Sequence, residues 1–236
     1  MYVLGIESAT PVAATAVVTE DKIMAERMVN NRRTHSVNLL PMIRDVLNDA
    51  GIDKSQLDGI AVTTGPGSFT GLRIGMSTAK SLAQVLRLPV AGISTMESLV
   101  HPLTGLPGLA CPILNARKNE LYAALYRSNG RQLSCLLPAF AVGVEKLASL
   151  LDVYDEPITF LGDGTEEYRN TLMELLGVQA RFAPGSAAFP RGAAVAELGL
   201  RTLKSGAGAD PLDLLPYYTR ESEAEIKWRE RRRSNG

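Results

Sequence analysis

The sequence predicts an α/β protein built from two mixed-sheet domains set side by side. Three observations lead there. Each half opens with three short apolar strand patterns and continues with alternating helical and strand patterns. The order, βββαβαβα, occurs twice. Between the two runs lies "HPLTGLPGLA" (101–110), whose two prolines and two glycines make it the natural boundary. The predicted domains are therefore 1–102 and 103–236. The halves share element order and almost no sequence identity.

In the first half, "YVLGIES" (2–8), "VAATAVVTE" (12–20) and "KIMAERMV" (22–29) read as strands separated by turns at Thr10-Pro11 and Glu20-Asp21. A helix over 36–50 follows from Leu39, Leu40, Ile43, Val46, Leu47 and Ala50, which recur at helical spacing. Pro41 is expected near its first turn, where a missing N–H does little harm, and Gly51 closes it as a C-cap. A strand over 59–64, a glycine-rich loop, a helix over 71–87, a strand over 89–94 and a short helix near 95–101 complete this half. In the second half the strands are 111–117, 120–128 and 131–137, with Asn129-Gly130 as a hairpin turn. Helix 143–151, strand 158–162, helix 164–176, strand 179–183 and helix 191–204 follow.

Composition bounds the function. The 236 residues are 45% hydrophobic and 21% charged, as in a folded domain, and Lys plus Arg (25) balances Asp plus Glu (25). A net charge of zero provides no global field to draw in nucleic acid or an anionic membrane. No apolar run approaches the ~20 residues of a membrane span. The chain begins in a strand pattern without a basic leader, so Cys111 and Cys135 are expected to be reduced thiols in the cytoplasm.

The stretch "TTGPGSFTGLRIGMSTAKSLA" (63–83) places glycines between a strand and a helix, as phosphate-binding loops do. Neither well-known version fits. A P-loop needs Gly-Lys-Ser/Thr at the helix start, and Gly71 is followed by Leu72. The dinucleotide fingerprint needs G-x-G-x-x-G, and Gly65, Gly67 and Gly71 are spaced G-x-G-x-x-x-G. Gly71, Gly75, Ala79 and Ala83 instead recur every four residues as a smooth stripe, flanked by Leu72, Met76 and Leu86, with Arg73, Ser77, Lys80, Gln84 and Arg87 on the far side. Such a stripe admits close approach of another backbone. Two readings stand: packing on the protein's own sheet, or on a helix of another subunit alongside the 39–50 helix.

Taken together, "GIESATPVAATAVV", "HSVNLLPMI", the 63–83 stretch, "LNARKNELYAALY", "FLGDG" and "YYTRESEAE" resemble the TsaB (YeaZ) family over nearly the whole chain. The resemblance implies tandem ribonuclease-H-like domains of the actin-like ATPase superfamily. It implies a non-catalytic scaffold or activator in the formation of threonylcarbamoyladenosine next to the anticodon of tRNAs. Its partners would be a catalytic TsaD-type paralogue, a TsaE-type ATPase and a second copy of itself, with tRNA reached indirectly through the complex. The docking helices would contribute Leu39, Leu40, Ile43, Leu47, Gly71, Leu72, Gly75, Met76, Ala79 and Ala83.

The resemblance also shows what is missing. TsaD-type enzymes hold a metal with H-x-x-x-H; in "GISTMESLV" the corresponding residues are Thr95 and Leu99, and neither replaces an imidazole. The chain has two histidines, His35 before a helix and His101 in the linker, expected to serve as cap or surface residues. Actin-like phosphotransferases place a carboxylate in the first turn of each domain. The first turn here offers Glu7 with Ser8, and the second offers uncharged Asn115. Asp163 and Gly164 begin a helix where related kinases bind adenosine, which leaves a remnant cleft of Glu7, Ser8, Asp163 and Gly164 open to weak ATP or ADP binding. No cofactor is expected to be required. H-E-x-x-H and G-x-S-x-G are absent. The alternatives are an ATP-dependent actin-like kinase and a protease acting on its paralogue. The tail "RESEAEIKWRERRRSNG", ending in Arg231, Arg232 and Arg233, reads as a solvated end or as a contact for phosphates or an acidic partner surface.

Overall fold

The computed structural model describes residues 1–31, 35–117 and 119–219. The charged tail, including Arg231, Arg232 and Arg233, lies outside the described residues. The first half runs β1 (Val3–Glu7), β2 (Ala13–Val18), β3 (Ile23–Val29), α1 (His35–Ala50), β4 (Gly59–Gly65), α2 (Phe69–Leu86), β5 (Val90–Ser94) and α3 (Thr95–Val100). The second runs β6 (Gly108–Arg117), β7 (Glu120–Ser128), β8 (Leu133–Val142), α4 (Val144–Leu151), β9 (Ile158–Leu161), α5 (Gly164–Leu176), β10 (Ala180–Phe182) and α6 (Gly192–Lys204).

The repeated order becomes a repeated topology. The first sheet is ordered β3-β2-β1-β4-β5 and the second β8-β7-β6-β9-β10. In each, a three-strand antiparallel meander joins a parallel pair at the meander's first strand. The central strands are apolar without alternation because both faces of each sheet are covered; β1 and β2 are buried at every position. On one face of the first sheet, α1 and α2 bury Leu39, Val46, Met76, Ala79 and Ala83 against Leu4, Ile6, Ile60 and Val62. On one face of the second, α4 and α5 bury Leu147, Leu151 and Leu172 against Ile113, Leu125 and Phe160.

The last helix of each half crosses to the other half's sheet. Met96, Leu99 and Val100 of α3 pack with Ala110, Leu114 and Ala124 of the second sheet. Val195, Ala196 and Leu198 of α6 pack with Val3, Ala61 and Ala91 of the first. This exchange differs from the division at residue 102, which left each helix with its own half. A methyl group on Gly5 would overlap the Gly192 carbonyl, so the closeness of α6 depends on small residues at this crossing. Arg191 forks onto Glu26, which also accepts the Ala193 N–H at 3.0 Å, and Lys204 pairs with Glu20 at 2.6 Å.

Local differences from expectation have simple causes. α1 starts at His35, so Pro41 falls inside the helix. The carbonyl it leaves unbonded, four residues earlier, belongs to Val37, an exposed residue on the solvent side of the helix. Gly51 has φ +67° and closes α1 as expected. β8 begins and ends later than 131–137, at Leu133–Val142, because Arg131 and Gln132 belong to the turn, where both N–H groups bond to Asn129 Oδ1. Among the described residues no helix is long and apolar enough to cross a membrane.

Candidate functional site

Two regions follow from this architecture: the cleft between the sheets, at the C-terminal ends of β1 and β9, and the outer face of the α1–α2 pair.

β1 carries Glu7 into the interior, where the side chain is 0% exposed. Its Oε1 accepts the Ala9 N–H at 2.8 Å, and Oε2 has no hydrogen-bond partner. Burial pushes this carboxyl up to about 7. The Thr63 hydroxyl beside it and the N–H groups of Ala9 and Thr10 oppose the rise, and the charge of Asp163 adds to it. Asp163 stands at the N-terminus of α5 but makes no cap bond; its Oδ1 accepts the Asn115 N–H at 3.1 Å. Burial pushes it up to about 6, opposed by that N–H and reinforced by Glu166. The Asn115 amide is engaged by Glu167.

Of the four residues expected in a remnant nucleotide cleft, Glu7 and Asp163 are near enough for the charge of Asp163 to act on Glu7. Ser8 turns the other way and donates its hydroxyl to the Gly71 carbonyl at 2.9 Å. Gly164 lies against the Ile113 carbonyl. The side chains that act on one another here are Glu7, Asp163, Glu166 and Glu167 with Asn115. Among the described residues no group of three or more His, Cys, Asp or Glu side chains is placed to hold a metal ion. Thr95 and Leu99 are both buried. His101 is the C-cap of α3, one of its two expected roles, but it is not a surface residue: it is 7% exposed, and its Nε2 meets Glu197 Oε2 at 2.7 Å, joining the end of α3 to α6. His35 begins α1 with Nε2 at 2.8 Å from the Thr10 carbonyl.

Two donors of the glycine loop are used within the chain. Ser68 N–H bonds to the Ala9 carbonyl at 2.6 Å, and Gly71 N–H bonds to the Ser68 hydroxyl at 3.2 Å as the α2 cap. Its glycines give way to backbone. A methyl group on Gly67 would overlap the Ala9 carbonyl, one on Gly71 the Ser8 carbonyl, and one on Gly75 the Ser8 hydroxyl. The small-residue stripe therefore takes the first of its two readings and packs on the protein's own first turn and sheet.

Of the ten residues expected on a docking surface, Leu40 alone is exposed, at 58%. Leu39, Ile43, Leu47, Gly71, Leu72, Gly75, Met76, Ala79 and Ala83 are buried within the chain. The helix pair still offers an apolar exterior. Val37 is exposed beside Leu40, and Val85 on α2 is 80% exposed. Between the helices lies a groove of about 320 Å³ lined by Leu40, Ile43, Arg44, Leu47, Leu82 and Leu86. Sequence reasoning named Leu86 only as a flank of the stripe and missed Val37, Leu82 and Val85 by following the stripe, which marks the inner side of α2.

A further element went unread, because a coil has no periodicity. Residues 209–218 form a strap along α2. Ala209 pairs with Val90 at the edge of the first sheet through two hydrogen bonds of 2.8 and 3.0 Å. Lys80 Nζ donates to the Leu212 and Leu214 carbonyls at 3.2 and 3.0 Å, and Leu214 enters the first core. Tyr217 N–H bonds to the Thr64 carbonyl at 2.8 Å. Tyr218 stacks on Phe69 at 4.5 Å, and Arg73 lies 3.9 Å over the same Phe69 ring.

Comparison with known proteins adds to this geometry. Residues 22–228 match the family model described as "TsaD: tRNA N6-adenosine threonylcarbamoyltransferase". The tRNA threonylcarbamoyladenosine biosynthesis protein TsaB of Bacillus subtilis is 32% identical over 97% of this chain and 98% of its own length. A tRNA N6-adenosine threonylcarbamoyltransferase of Trichlorobacter lovleyi is 29% identical over 81% of this chain and 58% of its own length. The solved structure of YeaZ from Pseudomonas aeruginosa superposes with a TM-score of 0.79, covering 92% of this chain and 99% of that one, at 24% identity. The tandem actin-like fold and near full-length relatedness agree, and the chain belongs to the TsaB (YeaZ) family.

Proposed function

We propose that this chain acts in the formation of threonylcarbamoyladenosine next to the anticodon of tRNAs, as a docking and activating subunit without chemistry of its own. It pairs through the outer face of α1 and α2 with a catalytic paralogue of the TsaD type, works with a TsaE-type ATPase, and forms a homodimer through the same face when the paralogue is absent. It reaches tRNA through the complex and requires no nucleotide or metal of its own. The observation that carries this reading is the exterior of the helix pair, where Val37, Leu40 and Val85 are exposed and Leu40, Leu47, Leu82 and Leu86 line a groove edged by Arg44 and Asn48. Burial of such a face is the main favourable term in association. The uncharged Asn115 in the second turn, where actin-like phosphotransferases place a carboxylate, supports the absence of phosphoryl transfer, since that chemistry needs carboxylates to hold a cation on the transferring group.

The test is reconstitution. Modified tRNA is assayed with this chain, its paralogue, the ATPase, ATP and the threonylcarbamoyl precursors, each protein being omitted in turn. The reading expects product with the full set and loss of product when this chain is left out, and no turnover by this chain alone. Equal product without it, or turnover by it alone, overturns the reading.

A further inference from the structure

We propose that Glu7, Thr63 and Thr95 enclose a binding site for one internal water molecule, which fastens the first turn of the chain to α3.

The sheet sets the three side chains on one face. Beneath α6, three neighbouring strands carry parallel rows: Val3, Gly5 and Glu7 on β1, Ala61 and Thr63 on β4, and Ala91, Ile93 and Thr95 from β5 into α3. The earlier members of each row are small or apolar. Val3, Ala61, Ala91 and Ile93 share a core with Val195 and Ala196 of α6, and Gly5 lies against the Gly192 carbonyl. All three rows turn polar at the carboxyl edge of the sheet. The parallel register pairs Ile6 with Val62, which sets Glu7 beside Thr63. It also pairs Thr63 with Ile93, which puts Thr95 one pleat further on. The Glu7 carboxyl bends in that direction, since its Oε1 accepts the N–H of Ala9, two residues past it, at 2.8 Å. α3, which Thr95 begins, packs against β4.

Each of the three residues is 0% exposed. Yet Glu7 Oε2, Thr63 Oγ1 and Thr95 Oγ1 have no hydrogen-bond partner among the described residues. The Thr63 hydroxyl lies beside the Glu7 carboxyl without a hydrogen bond of ordinary geometry. Buried polar atoms are almost always paired, so three orphaned oxygens at one edge point to a shared partner. Neighbouring hydroxyls are engaged elsewhere. Ser8 donates to the Gly71 carbonyl, Ser98 donates to the Thr95 carbonyl, and Ser94 accepts the Glu97 N–H as the cap of α3.

Water fits this set in number and in kind. An internal water makes about three hydrogen bonds to groups of this sort. The carboxylate only accepts, whereas each hydroxyl can donate or accept. One molecule that donates to Glu7 Oε2 and to one threonine, and accepts from the other, satisfies all three. The water then joins the turn that seats α2 to the helix that crosses to the second sheet.

A crystal structure of the full chain at about 1.2 Å tests the site. The expected result is one water peak about 2.5–3.2 Å from Glu7 Oε2, Thr63 Oγ1 and Thr95 Oγ1. Absence of a peak, a peak that misses any of the three oxygens, or a cation with shorter contacts and more ligands overturns the site. Denaturant titration of Thr63→Val and Thr95→Val tests it in solution. A hydroxyl bonded to a held water stabilises the fold, so each variant should lower the folding equilibrium constant about tenfold. The double variant should fall well short of the product, about a hundredfold, because both hydroxyls act on one molecule. A truly unpaired hydroxyl would instead be better replaced by a methyl group. Variants as stable as wild type or more so, or losses that multiply in full, therefore overturn the site. If the variants do not fold, the wild-type crystal structure decides alone.

Discussion

Ser8 donates its hydroxyl to the Gly71 carbonyl at 2.9 Å, and the same hydroxyl occupies the space that a side chain at Gly75 would need. This contact accounts for the glycine loop and the stripe behind it. Glycine costs about 1 kcal/mol against alanine within a helix, and here that cost is offset by seating α2 directly on the first turn.

Gly75→Ala should therefore destabilise the protein despite its better helix propensity. Overpacking costs about 1–3 kcal/mol, so a net loss of about 1 kcal/mol or more is expected, read as a lower urea midpoint at unchanged slope. Ser8→Gly combined with Gly75→Ala should recover much of the loss, because the two residues share one space.

Glu7 sets a dependence of stability on pH. Its folded proton affinity lies above the ordinary carboxyl value, at about 7 against 4.5. The folded chain thus holds a proton that the unfolded chain has released between these values. The resulting stability is complete below the unfolded value and is lost as pH rises through about 7. Asp163 adds to the same slope below about 6. Glu7→Gln should flatten the decline and leave the variant more stable than wild type at about pH 8, by about 1–3 kcal/mol. Thermal melts of both proteins across pH 5 to about 8.5 check this.

His101 and Glu197 fasten the exchanged helices at 2.7 Å in a half-closed setting. Glu197→Ala leaves the buried imidazole without its acceptor, and a loss of about 1–3 kcal/mol is expected. Because His101 pulls the Glu197 carboxyl down, this contribution is present at neutral pH and disappears as pH falls through the folded value. The variant and wild type should converge in acid, measured by denaturant titration at several pH values.

Leu214→Ala tests the strap. Its side chain is buried in the first core although it comes from a segment without regular structure. Truncation of a buried leucine costs about 2–5 kcal/mol, with the lower end expected at this margin. Proteolysis of the strap should accelerate in parallel, seen by mass spectrometry of limited digests.

Much of the fold was legible because periodicity survives folding. The 39–50 helix, the two three-strand meanders and the Asn129-Gly130 hairpin all follow local rules, and the element order gives the topology once each half is taken as one unit. Three things were hidden. The exchange of α3 and α6 depends on which sheet each apolar face reaches, and short helices carry no such address. The strap depends on Lys80 and Thr64 bonding to a coil's backbone, which no side-chain pattern records. The direction of the small-residue stripe was undetermined, because a flat helix side suits a sheet and a partner equally. Of the four residues named for the cleft, Ser8 turns to the Gly71 carbonyl and Gly164 lies against the Ile113 carbonyl, contacts that a place in the chain does not reveal.

Docking by the outer face of α1 and α2 is best tested by sedimentation of this chain with its catalytic paralogue, comparing wild type with Leu40→Glu and Val85→Glu. Both side chains are exposed, so the circular dichroism spectrum should be unchanged and the stability should stay within about 0.5 kcal/mol of wild type. The account predicts a heterodimer for the wild type and separate species for the variants. Variants that co-sediment with the paralogue as tightly as wild type would contradict it.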